Sequence, residues 1–438
     1  MAKINTPVKQ AAVYTHEGGQ ASRIDAMQEL QRSVMACLLW EDQFYESGVT
    51  IADRIAMLVP QVKPQEVSDM AITAREKMKL RHVPLLLVYE MTKHESHRGL
   101  VKSTLARVIQ RADELTEFVA IYWKDGRHPL SAQVKKGLAE AFHKFNAYEL
   151  AKYNRDSTVK LRDVLFMVHP RPKDEDQEAL WKALVDGNLA SPDTWEVALS
   201  AGQDKRETWT RLLQKKKLGA LAFLRNLRNM QAAGVDEDLI RSSLNEMKTE
   251  RVLPFRFIAA ARAVPPWERW IEPAMLKCLA GQEKLNGKTA LVIDVSGSMN
   301  SAISKKSDLQ RYDAANGLAI LCKELADVAV YSFSNELKVV PDRSGFALAD
   351  AIKNSQPHGG TYLAGALKQL PQKYERVIVI TDEQSHDGVI ALPDVRGYLI
   401  NVASNKNGVG YEKGWTHING WSEAVFDYMR EIERALLP

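Results

Sequence analysis

At about Leu285 the apolar periodicity of this chain changes, and no single layer of structure accommodates both patterns. Before that point apolar residues recur at three- and four-residue steps. IDAMQELQRSVMACLLW places Ile24, Met27, Leu30, Val34 and Leu38 on one helical face. VKSTLARVIQRADELTEFVAIYW does the same with Leu105, Val108, Ile109, Leu115 and Val119, and VKKGLAEAFHKFNAYELAKY and LIRSSLNEM continue the style. Breaks at Pro60, Pro64, Gly99, Pro129, Pro170, Pro172, Pro192, Gly234 and Pro254 leave helices of ordinary length between them. Many consecutive amphipathic helices with short links predict a helical solenoid, although no strict repeat is present; a helical bundle is the alternative. After Leu285, KTALVIDV, VAVYSFS, RVIVITD and RGYLINVAS read as strands. DLQRYDAANGLAILCKELAD, GFALADAIKN and TYLAGALKQL read as the helices between them, and SEAVFDYMREIERALL as the closing helix. That alternation predicts a doubly wound parallel sheet with helices on both faces. The chain therefore divides, on pattern alone, into an all-α unit over 1–285 and an α/β unit over 286–438.

The length of 438 residues suits two or three domains, and a hydrophobic content of 45% excludes wholesale disorder. No apolar run reaches the ~18 residues of a membrane span. The opening MAKINTPVKQ does not read as a secretory signal. Cys37, Cys278 and Cys322 lie too far apart for a disulfide framework or a zinc cluster, which points to buried thiols in a reducing cytoplasm. The net charge is +4, and the basic excess sits in the helical part; the α/β part is slightly acidic. This tilts the helical part toward a polyanion partner.

In LVIDVSGSMN an apolar strand ends on Asp294, and Ser296 and Ser298 follow at alternate positions. Alternate spacing in an extended loop turns three oxygen-bearing side chains the same way. Thr361 opens TYLAGAL after a glycine pair, and Asp382 ends RVIVITD. In an open parallel sheet such residues gather at the carboxyl edge of the strands. Two carboxylates and three hydroxyls, with no sulfur or imidazole, select a hard cation: Mg²⁺, with Mn²⁺ or Ca²⁺ as alternatives. A loop that merely caps a helix is the plainer reading of D-x-S-x-S. The full set resembles the metal-ion-dependent adhesion site (MIDAS) of von Willebrand factor A domains. In that family the first Asp, both Ser and the Thr surround the cation, the second Asp acts through water, and a partner's carboxylate often completes the shell. DVSGS is not a G-x-S-x-G nucleophile elbow, and neither His358 nor His386 has an evident position as a base, so no catalytic residue is expected.

Basic residues cluster in two stretches. Lys135, Lys136, Lys144, Lys152, Arg155, Lys160, Arg162, His169 and Arg171 lie in VKKGLAEAFHKFNAYELAKYNRDSTVKLRDVLFMVHPRP. Lys136 and Lys144 are eight apart and would share roughly one helical face. KKKLGALAFLRNLRNM adds Arg225 and Arg228, three apart, beside an apolar stripe of Leu218, Leu221, Leu224 and Leu227. Such clusters neutralise phosphates, and Tyr148 and Tyr153 could stack on bases; solvated helix faces and core packing are the plain alternatives.

A helical array followed by an A domain resembles the TROVE/Ro proteins, the Ro autoantigen family with bacterial and phage members. LQRSVMACLLWEDQFYESG, AFHKFNAYELAKY, LRDVLFMVHPRP, LGALAFLRNLRNM and RVLPFRFIAAAR resemble successive family segments in order. The resemblance implies a ring of HEAT-like helical repeats closed by the A domain. It implies a non-catalytic scaffold that binds small Y or Y-like non-coding RNA outside and the ends of misfolded RNA within, in RNA quality control. It also implies an exoribonuclease partner such as polynucleotide phosphorylase. RNA-contacting family positions fall on Lys152 and His169, and another falls by Arg155 or Asp156. A metal-dependent protein-interaction scaffold without RNA binding is the alternative reading.

Overall fold

The computed structural model describes residues 12–35, 46–154, 156–249, 252, 254–277, 283–302, 309–411, 414–422 and 424–435. Cys37, Cys278 and Arg155 lie outside these. Up to residue 186 the helices form two rows. One row holds Ala26–Met35, Pro64–Glu76, Glu95–Val108, Ala132–Phe142 and Leu161–Val168, each touching the next. The other holds Gly48–Leu58, Val83–Lys93, Ala112–Tyr122, Ala147–Tyr153 and Glu175–Asp186, again in contact down the row. Contact between every second helix is the signature of a solenoid rather than a bundle.

Local chemistry sets the helix starts. Ser131 accepts the Val134 N–H, and Asn146 and Glu149 form a reciprocal capping box. The long pattern read from VKSTLARVIQ to AIYW is two helices, not one. Glu114 breaks it by accepting the Gln110 and Arg111 backbone N–H groups at 2.8 and 3.1 Å.

Two rows resume after Lys205 and run into the α/β domain. Lys205–Gln214, Glu237–Glu246 and Glu268–Lys277 lead to Gly345–Lys353, while Ala220–Ala232 and Pro254–Ala263 lead to Arg311–Leu325. The core follows the same path. One cluster spans Leu30 to Leu184, and a second starts at Trp209 and continues through Trp267 and Met275 to Leu291, Ile293, Leu318 and Phe426. The apolar core thus does not divide at residue 285.

The sheet has six strands: β1 (Leu285–Asp294), β2 (Ala326–Phe333), β3 (Leu337–Val339), β4 (Arg376–Thr381), β5 (Arg396–Asn401) and β6 (Trp415–Asn419). Their order is β3-β2-β1-β4-β5-β6. All neighbours are parallel except β2–β3, which corrects the expectation of a purely parallel sheet. Strand alternation feeds two cores: Leu291 and Ile293 face the helical array, and Ala290 and Val292 face a separate cluster with Leu363, Val379 and Leu399.

Both ends of the helical path meet the α/β domain. At the far end Arg262 Nη1 donates to Asp313 Oδ2 at 2.6 Å, and the Phe346 N–H donates to Glu272 Oε1 at 2.7 Å. At the near end Thr15 Oγ1 donates to the Ser385 carbonyl at 2.8 Å, and Arg54 Nη2 to the Ser404 carbonyl at 2.5 Å. Arg32 is the centre of this junction. It is fully buried, donates to the Asn405 and Asn407 carbonyls at 3.0 Å each, and pairs with the fully buried Glu383. Glu383 also accepts the Gly410 N–H at 2.8 Å and lies 2.8 Å from His417 Nε2.

Removing one charge here leaves the other buried alone. Glu383→Gln is expected to lower stability by about 3–5 kcal/mol in denaturant titrations. His417 provides a second reading. Burial, and then the Arg32 charge, hold its pKa well below 6.5. As pH falls through about 6.5 the unfolded chain takes up a proton that the native chain refuses, so native stability falls. The thermal midpoint should drop between about pH 7 and 5, and His417→Gln should flatten that slope.

Candidate metal centre and nucleic-acid interface

β1 and β4 are adjacent, and the chain leaves them in opposite directions across the sheet, so their carboxyl ends form the switch-point crevice. Ile293 is registered with Ile380, which sets Asp294 beside Thr381. Thr381 Oγ1 donates to Asp294 Oδ2 at 2.6 Å, and the Ser296 N–H donates to Oδ1 at 2.9 Å. Ser296 and Ser298 hold their hydroxyls 3.4 Å apart. The Gly297 N–H donates to the Gly359 carbonyl at 3.1 Å, tying this loop to the one that carries Thr361. Asp294, Ser296, Ser298, Thr361 and Asp382 are all buried.

Burial, and then the Asp382 charge, push Asp294 up from the usual carboxylate range to about 7. Two carboxylates facing one another in low dielectric call for positive charge. Arg311, buried at the first position of the helix Arg311–Leu325, donates from Nη1 to Asp382 Oδ2 at 2.9 Å. Among the described residues no three carboxylate, imidazole or thiol groups are arranged to hold a metal ion. Serine and threonine hydroxyls would therefore complete any shell, and an all-oxygen set fits a hard cation in kind. His358 Nδ1 lies 2.6 Å from the Val295 carbonyl, while His386 stacks on Tyr362 and reaches Glu17 at 3.1 Å.

Arg311 was not singled out in the sequence, yet a signal is present. A cation in the first turn opposes the helix dipole, so RYDAANGLAIL asks where its partner lies.

The basic residues distribute as follows. Lys135 and Lys136 are exposed on Ala132–Phe142. That helix ends before Lys144, so the shared face expected for Lys136 and Lys144 does not exist. Lys144 instead turns its ammonium onto the Ala106 carbonyl and, at 2.8 Å, the Ile109 carbonyl, at the end of Glu95–Val108. Lys152 lies 5.8 and 5.7 Å from the Tyr148 and Tyr153 rings. Lys160 pairs with Asp156 at 2.7 Å. His169 is exposed and closes Leu161–Val168 in a left-handed conformation, φ 47°. Arg171, Arg225 and Arg228 are exposed. The leucine stripe differs from expectation: Leu224 and Leu227 are buried with Phe223 and Met230, while Leu221 is 42% exposed. Two further residues emerge only in three dimensions. Phe166 stands 55% exposed on Leu161–Val168. Arg256 sits within reach of the Arg225 charge; burial, then Arg225, lower its pKa.

Fold and sequence together define the class. The TROVE domain model matches residues 181–280, and the von Willebrand factor type A domain model matches residues 289–384. The chain thus carries a match to the TROVE domain followed by a match to the von Willebrand factor type A domain, in that order. Its fold is shared with the RO (RSR) protein of Deinococcus radiodurans, at a TM-score of 0.60 over 94% of this chain and 100% of that one, with 18% identity. Over 86 residues it is 34% identical to telomerase protein component 1 of Mus musculus. That match covers 18% of this chain and 3% of the mouse protein, so the chain spans a small part of that relative's length. No helix among the described residues is long and apolar enough to cross a membrane.

Lys144 serves the helix end in this arrangement. Lys144→Ala should cost about 1–2 kcal/mol in denaturant unfolding through its two lost carbonyl bonds.

Proposed function

We propose that this protein is a non-catalytic RNA-binding scaffold that holds Y or Y-like non-coding RNA and the loose ends of misfolded RNA. The observation that carries the reading is the interleaving of exposed cations with exposed aromatic rings from Ala132–Phe142 through Leu161–Val168, with further exposed cations on Ala220–Ala232. Lys135, Lys136, Arg171, Arg225 and Arg228 are exposed and make no ion pair with a described residue. Tyr148, 48% exposed, stands beside Lys152, and Phe166, 55% exposed, precedes His169 by three residues. Cations grip phosphates irrespective of sequence, and aromatic faces receive unstacked bases, the combination that single-stranded RNA requires. Arg225 and Arg256 add a pair of like charges whose mutual repulsion an RNA phosphate would relieve.

The A domain braces the array at both ends. Its oxygen set would take Mg²⁺, Mn²⁺ or Ca²⁺ and, through it, a partner's carboxylate. An exoribonuclease tethered through the bound RNA would supply the chemistry this chain lacks in our reading. Cytoplasmic residence completes the proposal.

Phosphate contacts make affinity fall steeply with salt. For the full chain and a structured RNA with a single-stranded end, log K against log[salt] should slope downward by ~0.7–0.9 per phosphate neutralised. The triple variant Lys135→Ala/Lys136→Ala/Lys152→Ala should bind more weakly and flatten that slope by about two to three. Salt-independent binding, or a slope untouched by the triple variant, would sink the proposal.

A further inference from the structure

The buried site already holds a cation of its own. Arg311 is 1% exposed, and its Nη1 lies 2.9 Å from Asp382 Oδ2. The other oxygen of Asp382 accepts the Gln384 N–H at 3.2 Å, so the carboxylate has both oxygens engaged. Asp294 is engaged likewise, by Thr381 and by the Ser296 N–H. The two carboxylates face each other in a fully buried crevice, and a single guanidinium is the cation bonded to either among the described residues.

We propose that Arg311 is the resident counter-ion of this site and a gate on it, so that a divalent cation enters only when the guanidinium withdraws from Asp382.

Charge balance drives the exclusion. With Arg311 in place, a divalent ion would leave three positive charges against two carboxylates in a space closed to water. Burying that excess charge costs several kcal/mol. With Arg311 withdrawn, two positive charges meet two negative ones. The exchange is a movement of the side chain rather than of the helix, because the first turn is clamped on both sides. The Arg311 N–H donates to the Ser301 carbonyl at 2.9 Å. Two residues on, Asp313 accepts the Gln310 N–H at 2.9 Å and the Arg262 guanidinium of the helical array at 2.6 Å. The gate therefore stands two residues from one of the bonds that join the array to the α/β domain. Sensitivity of the site to how the array docks follows from that proximity.

The test uses the full-length protein and Mn²⁺ as probe, with free Mn²⁺ read by electron paramagnetic resonance. Arg311→Gln should bind Mn²⁺ at least about ten-fold more tightly than the unaltered chain, and adding Asp382→Asn should abolish the gain. Equal affinities in the unaltered chain and Arg311→Gln would overturn the proposal, as would a gain that survives Asp382→Asn. A second measurement is made on the unaltered chain. The thermal midpoint of the unaltered chain should not move in about 1 mM Mn²⁺, because a ligand raises the midpoint only as far as it binds the native state. A rise in that midpoint which Asp382→Asn removes would overturn the gate. If folded, metal-free Arg311→Gln should melt lower than the unaltered chain and recover with Mn²⁺.

Discussion

A solenoid of amphipathic helices has two ends, and each exposes the apolar face that the next repeat would have covered. This chain covers both with one α/β domain, and most of its architecture follows from that constraint. At one end the rows continue without interruption: Ala220–Ala232 and Pro254–Ala263 are followed by Arg311–Leu325, and a single core runs from Trp209 to Met429. At the other end the join is polar. Arg32, Arg54 and Thr15 reach the loops after β4 and β5, and the burial of the Arg32–Glu383 pair makes that join specific in geometry. The two ends thus differ in emphasis: one continues the apolar core and adds the Arg262–Asp313 pair, and the other rests on buried charge.

The same rule of charge compensation governs the crevice above β1 and β4. Asp294 and Asp382 are brought together by parallel register, because the strands that carry them are neighbours at the switch point. Their burial would be prohibitive without a cation. Arg311 meets that need from within the chain, and its place at the start of Arg311–Leu325 puts the site in line with the helical rows. Site and scaffold are therefore physically continuous rather than two modules on a string.

Much of this was legible beforehand. β1, β2, β4 and β5 were readable as apolar runs because a parallel strand buried on both faces has no polar alternation to hide it. β3 and β6 were not: LKV is too short, and WTHIN carries polar residues that only a covered edge tolerates. Asp294, Ser296, Ser298 and Asp382 could be named because their spacing follows the strand ends, and Thr361 because it follows a glycine pair just before a helix. Lys144 shows the opposite case. Its spacing from Lys136 suggested a shared face, but the helix stops at Phe142, and the ammonium found two carbonyls left bare by the end of another helix.

Periodicity and strand-end spacing, both local properties of the chain, determined the change of architecture at Leu285 and the placing of Asp294 and Asp382 at strand ends. Tertiary structure alone decided that the array returns to the α/β domain, that the core ignores the boundary between the two patterns, and that Arg311 faces Asp382. Those outcomes depend on partners 71 to 373 residues apart in the chain, as for Arg311–Asp382 and Arg32–Asn405. A pattern read within one turn of helix or one strand carries no information about which distant charge will neutralise a buried one.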